Sequence, residues 1–178
     1  MASRDVNDLM PNMKDAAIKV RKDCLGKGVN LLIYCTLRSL EEQAKLYRQS
    51  RMTSEIITKI RILESKGFDF LAKVLKDVGS IPGKVGAHVT YVVPGESWHN
   101  LGMAFDAVPL QNGNPRWDTG FPGWKVYGEC ATAAGLMWGG SWTSFKDYPH
   151  CQLIQSGSPL NQYSPTQLRD LLVSLKLL

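Results

Sequence analysis

The spacing of apolar residues in the first third of the chain predicts two helices separated by one buried strand. Residues 5–28 carry apolar side chains at helical spacing, and Pro11 stands near the start of this helix. Those apolar positions are Met13, Ala16, Ala17, Val20 and Cys24. Residues 29–36 are an apolar, partly β-branched run, which predicts a buried strand. Ser39, three residues before Glu42, matches a capping box and predicts that the second helix begins there.

The middle of the chain predicts amphipathic helices followed by a loop and a short strand. Residues 55–78 follow a helical apolar pattern, and Gly67 predicts a break into two pieces. Lysine and arginine side chains stand among the apolar positions of this stretch. The Gly- and Pro-containing residues 79–86 predict a loop, and residues 88–93, HVTYVV, predict a strand.

The last part of the chain predicts short strands and two further helices. The predicted strands are 102–109, 136–138 and 151–154. Residues 111–123 carry Asn, Gly and Pro and predict a loop, 124–134 predict a helix, and Ser164-Pro165 predicts the start of a helix over 164–178. Helices packed against a small, mainly antiparallel sheet give an α+β fold class.

Composition and charge favour a single soluble domain over 1–178. The chain has 178 residues, of which 44% are apolar and 21% charged, and this length allows a sizeable core. The net charge is +5, but no Lys/Arg-rich run interleaved with aromatic residues indicates nucleic-acid binding. No stretch approaches the roughly 18 apolar residues of a spanning helix, so we expect no stable membrane insertion. The N-terminus lacks the apolar region of a signal peptide, so we expect the protein to stay in the cytoplasm until it is released.

The cysteine pattern predicts reduced, structural thiols. The four cysteines form no CxxC pair, and a protein kept in the cytoplasm stays in a reducing compartment. Cys151 is adjacent to His150, a candidate metal ligand, so its thiol is an alternative ligand. In a strand, however, neighbouring side chains point to opposite faces, which predicts that Cys151 points away from that site.

Two of the three histidines, with one aspartate, form a candidate zinc site. His99, Asp106 and His150 offer two imidazoles and one carboxylate, and a catalytic zinc ion takes three such ligands and leaves the fourth position for water. Their spacing is not that of a single helix, so we expect them on neighbouring strands and loops. Asp147, three residues before His150, is a candidate base for such a water. From these residues alone, hydrogen-bonded structural histidines remain the alternative.

Five ordered segments resemble the peptidoglycan metallopeptidases related to D-alanyl-D-alanine carboxypeptidases. SWHNLGMAFD matches that family's Ser-x-His-x-x-Gly-x-Ala-x-Asp motif, and DYPH resembles its second motif, an acid three residues before a histidine ligand. LRSLEEQAKLYRQSR, GAHVTYVVPGESWHN and GLMWGGSWTSFKDYPHCQL resemble the family's helix and the approaches to its two histidine ligands. Together the segments cover about residues 5–50 and 86–155. The Asp of DYPH, where other branches more often have Glu, resembles phage endolysins with L-alanyl-D-glutamate endopeptidase activity.

The resemblance implies a zinc-dependent hydrolase. It implies one Zn²⁺ per chain, bound by His99, Asp106 and His150 in a groove on the sheet. It also implies that Asp147 takes a proton from the attacking water and returns it to the leaving amine.

The resemblance implies substrate-binding roles for Arg38 and Ser97, and helical spacing makes Gln43 a further candidate. Arg38 matches the family's substrate-binding arginine, whose planar charged group suits a stem-peptide carboxylate or a developing oxyanion. Ser97 resembles a residue that hydrogen-bonds the substrate near the metal. Gln43 and Tyr47 lie one helical turn apart, and either they face the groove or they pack in the core. We expect Trp138 to be structural.

The chain departs from compact members of this family in two places. Residues 52–85 add a helical insertion, which is extra packing, a lid or wall of the substrate groove, or a contact to a membrane or an anionic envelope polymer. The C-terminal helix, 164–178, is expected to dock on the domain, with a membrane-active tail as the alternative.

Peptidoglycan is the expected substrate, and two other functions stay open. One is a D-alanyl-D-alanine carboxypeptidase or dipeptidase of the same family. The other is a zinc-containing domain that binds the cell wall without turnover. We expect a monomer whose release to the wall depends on a membrane-permeabilising holin.

Overall fold

The computed structural model describes residues 2–49, 51–79, 88–153 and 157–178. The chain divides into two compact units, and we call Ala2–Leu37 with Gly102–Ser156 the strand unit and Arg38–Leu101 with Gly157–Leu178 the helical unit. A single catalytic domain over 1–178 therefore stays a prediction. Within the four described ranges, no helix has the length and apolar character that crossing a membrane requires.

The described residues form α-helices and short β-strands in a mixed order. The helices are α1 (Pro11–Gly26), α2 (Leu40–Arg48), α3 (Thr53–Ser65), α4 (Asp69–Asp77), α5 (Gly123–Ala133), α6 (Pro159–Gln162) and α7 (Pro165–Ser174). The strands are β1 (Asn30–Cys35), β2 (Ala104–Gln111), β3 (Asn114–Pro115), β4 (Met137–Trp138) and β5 (His150–Gln152).

The strand unit contains one antiparallel sheet, which confirms the predicted α+β class. The strand order is β1-β2-β5-β4, and β3 pairs with β2 off this path. Asp106 in the central strand β2 is opposite Cys35 on one side and His150 on the other. The register of β1 shifts between Ile33 and Cys35, so an irregularity in the ladder lies next to Asp106.

Helices α1 and α5 bury the apolar face of this sheet. The core of the strand unit includes Met13, Val20, Phe105, Ala107, Trp124, Tyr127 and Cys151. Phe105 and Ala107 flank Asp106 in β2, and Cys151 follows His150 in β5. Because side chains alternate along a strand, Asp106 and His150 project from the face opposite these helices.

The helical unit confirms three predicted local signals. The Ser39 side chain accepts a hydrogen bond from the backbone N–H of Glu42 and caps α2. Gly67, with φ of +78°, separates α3 from α4 in the left-handed conformation that glycine adopts without strain. At the C-terminus, Ser164 and Gln167 form a complete capping box at the start of α7.

The insertion packs within its own unit. Leu71 and Leu75 of α4 are fully buried, and a Cβ placed on Gly95 would overlap the Leu71 side chain. Lys59 of α3 pairs with Glu96 at 3.5 Å. These contacts favour packing as the role of the insertion, and they brace the turn that precedes Ser97 and His99. Helix α7 likewise buries Leu168 and Leu172, which favours a docked helix over a membrane-active tail.

Several sequence-based element assignments are wrong in detail, among them the loop predicted at 111–123, which contains β3. Residues 88–93 form no strand, because Gln43 Nε2 bonds the carbonyl of Val92 and Arg51 Nη2 that of Thr90, in place of a neighbouring strand. The first helix begins only at Pro11, after a separate 3-10 turn over Val6–Asp8. Helix α7 ends at Ser174 rather than at the C-terminus. Most of the loop predicted at 79–86, and Ile154 of the last predicted strand, lie outside the described residues.

Candidate metal centre and active site

The carboxylate of Asp106 and the imidazole of His150 face each other across strands β2 and β5. His150 Nδ1 is 3.1 Å from Asp106 Oδ1. Both residues are buried, and the Trp142 ring lies 5.5 Å from the His150 ring between centroids. The direct cross-strand pairing of the two residues accounts for this approach, because opposite side chains of an antiparallel pair are nearest neighbours.

The second ring nitrogen of His150 also has a partner. His150 Nε2 is 3.1 Å from Oε1 of Gln152, which lies two residues further along β5 on the same face. Gln152 is buried, and its Nε2 donates to Sδ of Met137 in β4 at 3.8 Å. The imidazole is therefore held between a carboxylate and an amide.

Two cysteines flank the site on opposite faces of the sheet. The thiol of Cys35 and a carboxylate oxygen of Asp106 lie within 4.8 Å of each other, so Cys35 is a candidate ligand in addition to those predicted from the sequence. Cys151 points into the core, as strand alternation predicts. Burial raises the pKa of the Cys151 thiol to about 12, which keeps it protonated and unsuited to binding a metal.

The loop that carries Asp147 is fixed to the strand unit through its backbone. The Asp147 N–H donates to the Gly139 carbonyl at 3.1 Å, and the His150 N–H donates to the Asp147 carbonyl at 3.1 Å. The Tyr127 hydroxyl donates to the Pro149 carbonyl at 2.8 Å. A Cβ on Gly139 would overlap the Asp147 carbonyl, so the close approach at this point requires glycine.

Trp138 anchors the same loop from the core side. Its Nε1 donates to the Tyr148 carbonyl at 2.7 Å, and the two rings make an edge-to-face contact with centroids 5.6 Å apart. A Cβ on Gly128 or on Gly140 would overlap the indole, so both glycines leave room for it. Trp138 therefore has the structural role expected of it, because it positions Tyr148, the residue next to Asp147.

In the helical unit, Arg38 is held by Gln43 rather than extended freely into solvent. Arg38 Nη1 donates to Gln43 Oε1 at 2.9 Å. Gln43 is fully buried, and its Nε2 donates to the Val92 carbonyl at 2.8 Å. The structure thus places Gln43 in the interior, where it contacts the arginine, and gives Tyr47 a buried position as well.

His99 and Ser97 occupy a buried segment of the same unit. His99 and Ser97 are 2% and 7% exposed, respectively. The Arg38 N–H donates to the His99 carbonyl at 3.0 Å, and Asn100 Nδ2 donates to the Arg38 carbonyl at 2.8 Å. Hydrogen bonds of the backbone therefore link Arg38 to His99, and the side chain of Asn100, which was not among the predicted site residues, adds a further link. The sequence offers little indication of a role for Asn100, because it stands at a variable position of the SWHNLGMAFD motif.

A cavity lies on the helix side of the strand unit. Its volume is about 890 Å³. Its walls include Phe121, Trp124, Trp138 and Tyr148, and Lys125 and Lys146 also line it. Lys146 and Tyr148 flank Asp147 in the chain, but none of the candidate metal ligands lines this cavity.

Comparison with known proteins identifies the family. Residues 93–153 match the family model described as D-alanyl-D-alanine carboxypeptidase. The peptidoglycan L-alanyl-D-glutamate endopeptidase CwlK of Bacillus subtilis (strain 168) is 31% identical over 156 residues, covering 83% of this chain and 75% of that protein. The chain belongs to the D-alanyl-D-alanine carboxypeptidase-related family of peptidases.

Other matches are more distant. The L-alanyl-D-glutamate peptidase of Listeria phage A118 is 28% identical over 158 residues, which are 86% of this chain but 41% of that protein. The Serratia marcescens L-Ala D-Glu endopeptidase ChiX matches in structure with a TM-score of 0.43 and 18% identity, over 86% of this chain and 89% of that one. The segment that matches the family model, residues 93–153, includes His99, Asp106, Asp147 and His150.

Proposed function

We propose that this protein is a zinc-dependent peptidase that hydrolyses the L-alanyl-D-glutamate bond in the stem peptides of peptidoglycan. The structural observation that carries the proposal is the buried approach of Asp106 Oδ1 to His150 Nδ1 at 3.1 Å. The choice of bond is supported by the names of the Bacillus and Listeria phage relatives.

We assign zinc binding to His99, Asp106 and His150. With bonds of about 2.0–2.1 Å in a tetrahedral array, neighbouring donor atoms stand about 3.3 Å apart, which fits the observed 3.1 Å between Asp106 and His150. The family motif supplies His99 as the third donor. Cys35 is the competing donor, but a fourth protein ligand would close the position that a catalytic site leaves for water.

Each of the proposed active-site residues has a separate role in hydrolysis. Zinc at this site would activate water and polarise the scissile carbonyl. The Asp147 carboxylate accepts the proton of the attacking water and returns it to the leaving amine. The Arg38 guanidinium, oriented by Gln43, binds a substrate carboxylate or the developing oxyanion. Ser97 hydrogen-bonds the substrate.

The metal requirement is tested on purified peptidoglycan. We expect the protein to release soluble stem peptides, to lose that activity after chelation, and to regain it with Zn²⁺. The Asp147→Asn variant provides the matched control, because it should bind zinc but release little product. Equal release by the metal-free protein would contradict the proposal.

A carboxypeptidase is the second candidate, because the matching family model carries that description. The two activities differ in their products, since a carboxypeptidase frees terminal D-alanine and the endopeptidase does not. Free D-alanine as the main product would assign the protein to the carboxypeptidase branch.

A role in phage-mediated host lysis is a further part of the proposal. It is supported by the Listeria phage relative and by the Asp in DYPH. Holin-dependent release and a monomeric state belong to the same proposal. Expression in a bacterial host should cause lysis only when a holin is co-expressed, and lysis without one would contradict this part.

A further inference from the structure

Gln152 is placed to control the orientation and the tautomer of the His150 ring. It lies in β5 two residues after His150, with its Oε1 3.1 Å from His150 Nε2. Its backbone is fixed by pairing with Ala104 of β2 and Met137 of β4, so the amide stands between two strands. Gln152 is only 6% exposed, and it belongs to none of the roles assigned above.

The polarity of this contact determines which ring nitrogen of His150 carries the proton. An amide oxygen is only an acceptor, so the contact of Gln152 Oε1 with Nε2 favours the tautomer that carries its hydrogen on Nε2. The Gln152 Nε2 group is turned toward the Met137 sulfur, an acceptor, which agrees with this orientation. In the neutral ring, Nδ1 is then left with a lone pair.

That lone pair faces the Asp106 carboxylate. Two electron-rich atoms 3.1 Å apart in a buried site repel each other unless a proton or a metal ion lies between them. A divalent cation bound by both atoms satisfies this requirement, so the donor set of Asp106 and His150 fits the proposed metal.

We propose that Gln152 is a positioning residue that holds His150 in the Nε2–H form and presents Nδ1 to the zinc ion. It acts through His150 and does not touch the substrate. Metal-bound histidines commonly donate their second N–H to an oxygen of the protein, which fixes the ring and raises its basicity. This inference rests on the proposed zinc site. It adds Gln152 as a residue that contacts a zinc ligand but not the zinc ion.

Three variants separate this role from simple packing. Gln152→Leu removes the acceptor and keeps a similar volume, whereas Gln152→Glu restores an acceptor oxygen. Met137→Leu is the matched control, because it removes the sulfur partner of Gln152 Nε2 but leaves the Oε1 contact with His150. The zinc dissociation constant of each variant is measured by competition with a chromophoric chelator, and circular dichroism of the metal-free proteins verifies folding.

We expect Gln152→Leu to weaken zinc binding about 10- to 100-fold, with Gln152→Glu and Met137→Leu staying within about threefold of the wild type. In the zinc-loaded wild type, ¹⁵N NMR of the three histidines should show His150 metal-bound at Nδ1 and protonated at Nε2. Unchanged zinc affinity in a folded Gln152→Leu variant, or a metal bond at Nε2, would overturn the inference. Failure of the wild type to bind zinc would instead contradict the proposed function.

Discussion

His150 and Asp106 lie directly opposite each other on β5 and β2, and their side chains approach to 3.1 Å on the sheet face away from α1 and α5. The two residues are 44 positions apart in sequence, and the antiparallel register alone brings them together. Regular strand pairing therefore gives the site a rigid base. The loop with Asp147, held by Gly139 and Trp138, joins the sheet immediately before His150.

Replacing Asp147 by Asn should separate catalysis from metal binding. The amide keeps the size of the side chain but cannot accept the proton of the attacking water, so we expect kcat to fall about 100- to 10,000-fold. Zinc content should stay at one ion per chain. The control is Asp77→Asn, which removes an exposed carboxylate paired with Lys73 and should leave activity unchanged. Normal activity in Asp147→Asn would remove this residue from the mechanism.

The Gln43→Leu variant tests whether Gln43 acts through Arg38. A hydrogen bond to a charged group contributes about 1.5–3 kcal/mol, so its loss should lower kcat/KM about 10-fold or more while zinc affinity stays the same. Gln49→Leu, at the end of the same helix, is the control. An effect of Gln43→Leu that persists when Arg38 is already replaced by Ala would indicate a separate role, because coupled residues give non-additive losses.

How much of the site could be predicted depended on whether the signal was local. The alternation of β2 and β5 correctly placed Cys151 in the core. The same alternation could have identified Gln152, which is two residues from His150 and hence on its face. The β-branched residues of 88–93 predicted a strand, but strand formation requires a partner, and side chains of α2 and Arg51 bind this segment instead. Such long-range contacts leave no mark on local spacing.

The anchoring of the Asp147 loop by Trp138 was equally invisible in the sequence. Trp138 was expected to be structural, but Gly128 lies in a helix and makes room for the indole only in the folded chain. The position of Cys35 beside Asp106 depends on the register shift after Ile33, and no pattern in the sequence predicts that shift.

The Trp138→Phe variant should loosen this loop. Phe keeps an aromatic ring but leaves the Tyr148 carbonyl without its Nε1 donor, which should lower the free energy of unfolding by about 1–3 kcal/mol. Because the loop carries Asp147, we also expect kcat to fall. Trp117→Phe is the matched control, since Trp117 is 57% exposed and should tolerate the change. Equal stability and kcat in the two variants would contradict the anchoring role.

The buried thiol of Cys151 should make the protein less stable in alkali. Burial raises its pKa from 9.0 to about 12, so above pH 9 the unfolded chain releases a proton that the folded chain retains. The contribution of this thiol to stability is therefore complete below pH 9 and decreases as the pH rises toward 12. Between these values, Cys151→Ala should flatten the dependence of unfolding free energy on pH by about 1.4 kcal/mol per pH unit. Urea unfolding of both proteins at several pH values measures this dependence. An equal slope of unfolding free energy against pH in Cys151→Ala and the wild type would contradict the account.

The most direct test of the proposed reaction is to identify the chemical ends that the protein creates. Purified peptidoglycan is digested by the zinc-loaded protein, and the new termini are determined by mass spectrometry. The account predicts new L-alanine carboxyl ends and new D-glutamate amino ends, which should be absent after chelation and in Asp147→Asn. New ends at any other bond, or no new ends with zinc bound, would contradict it.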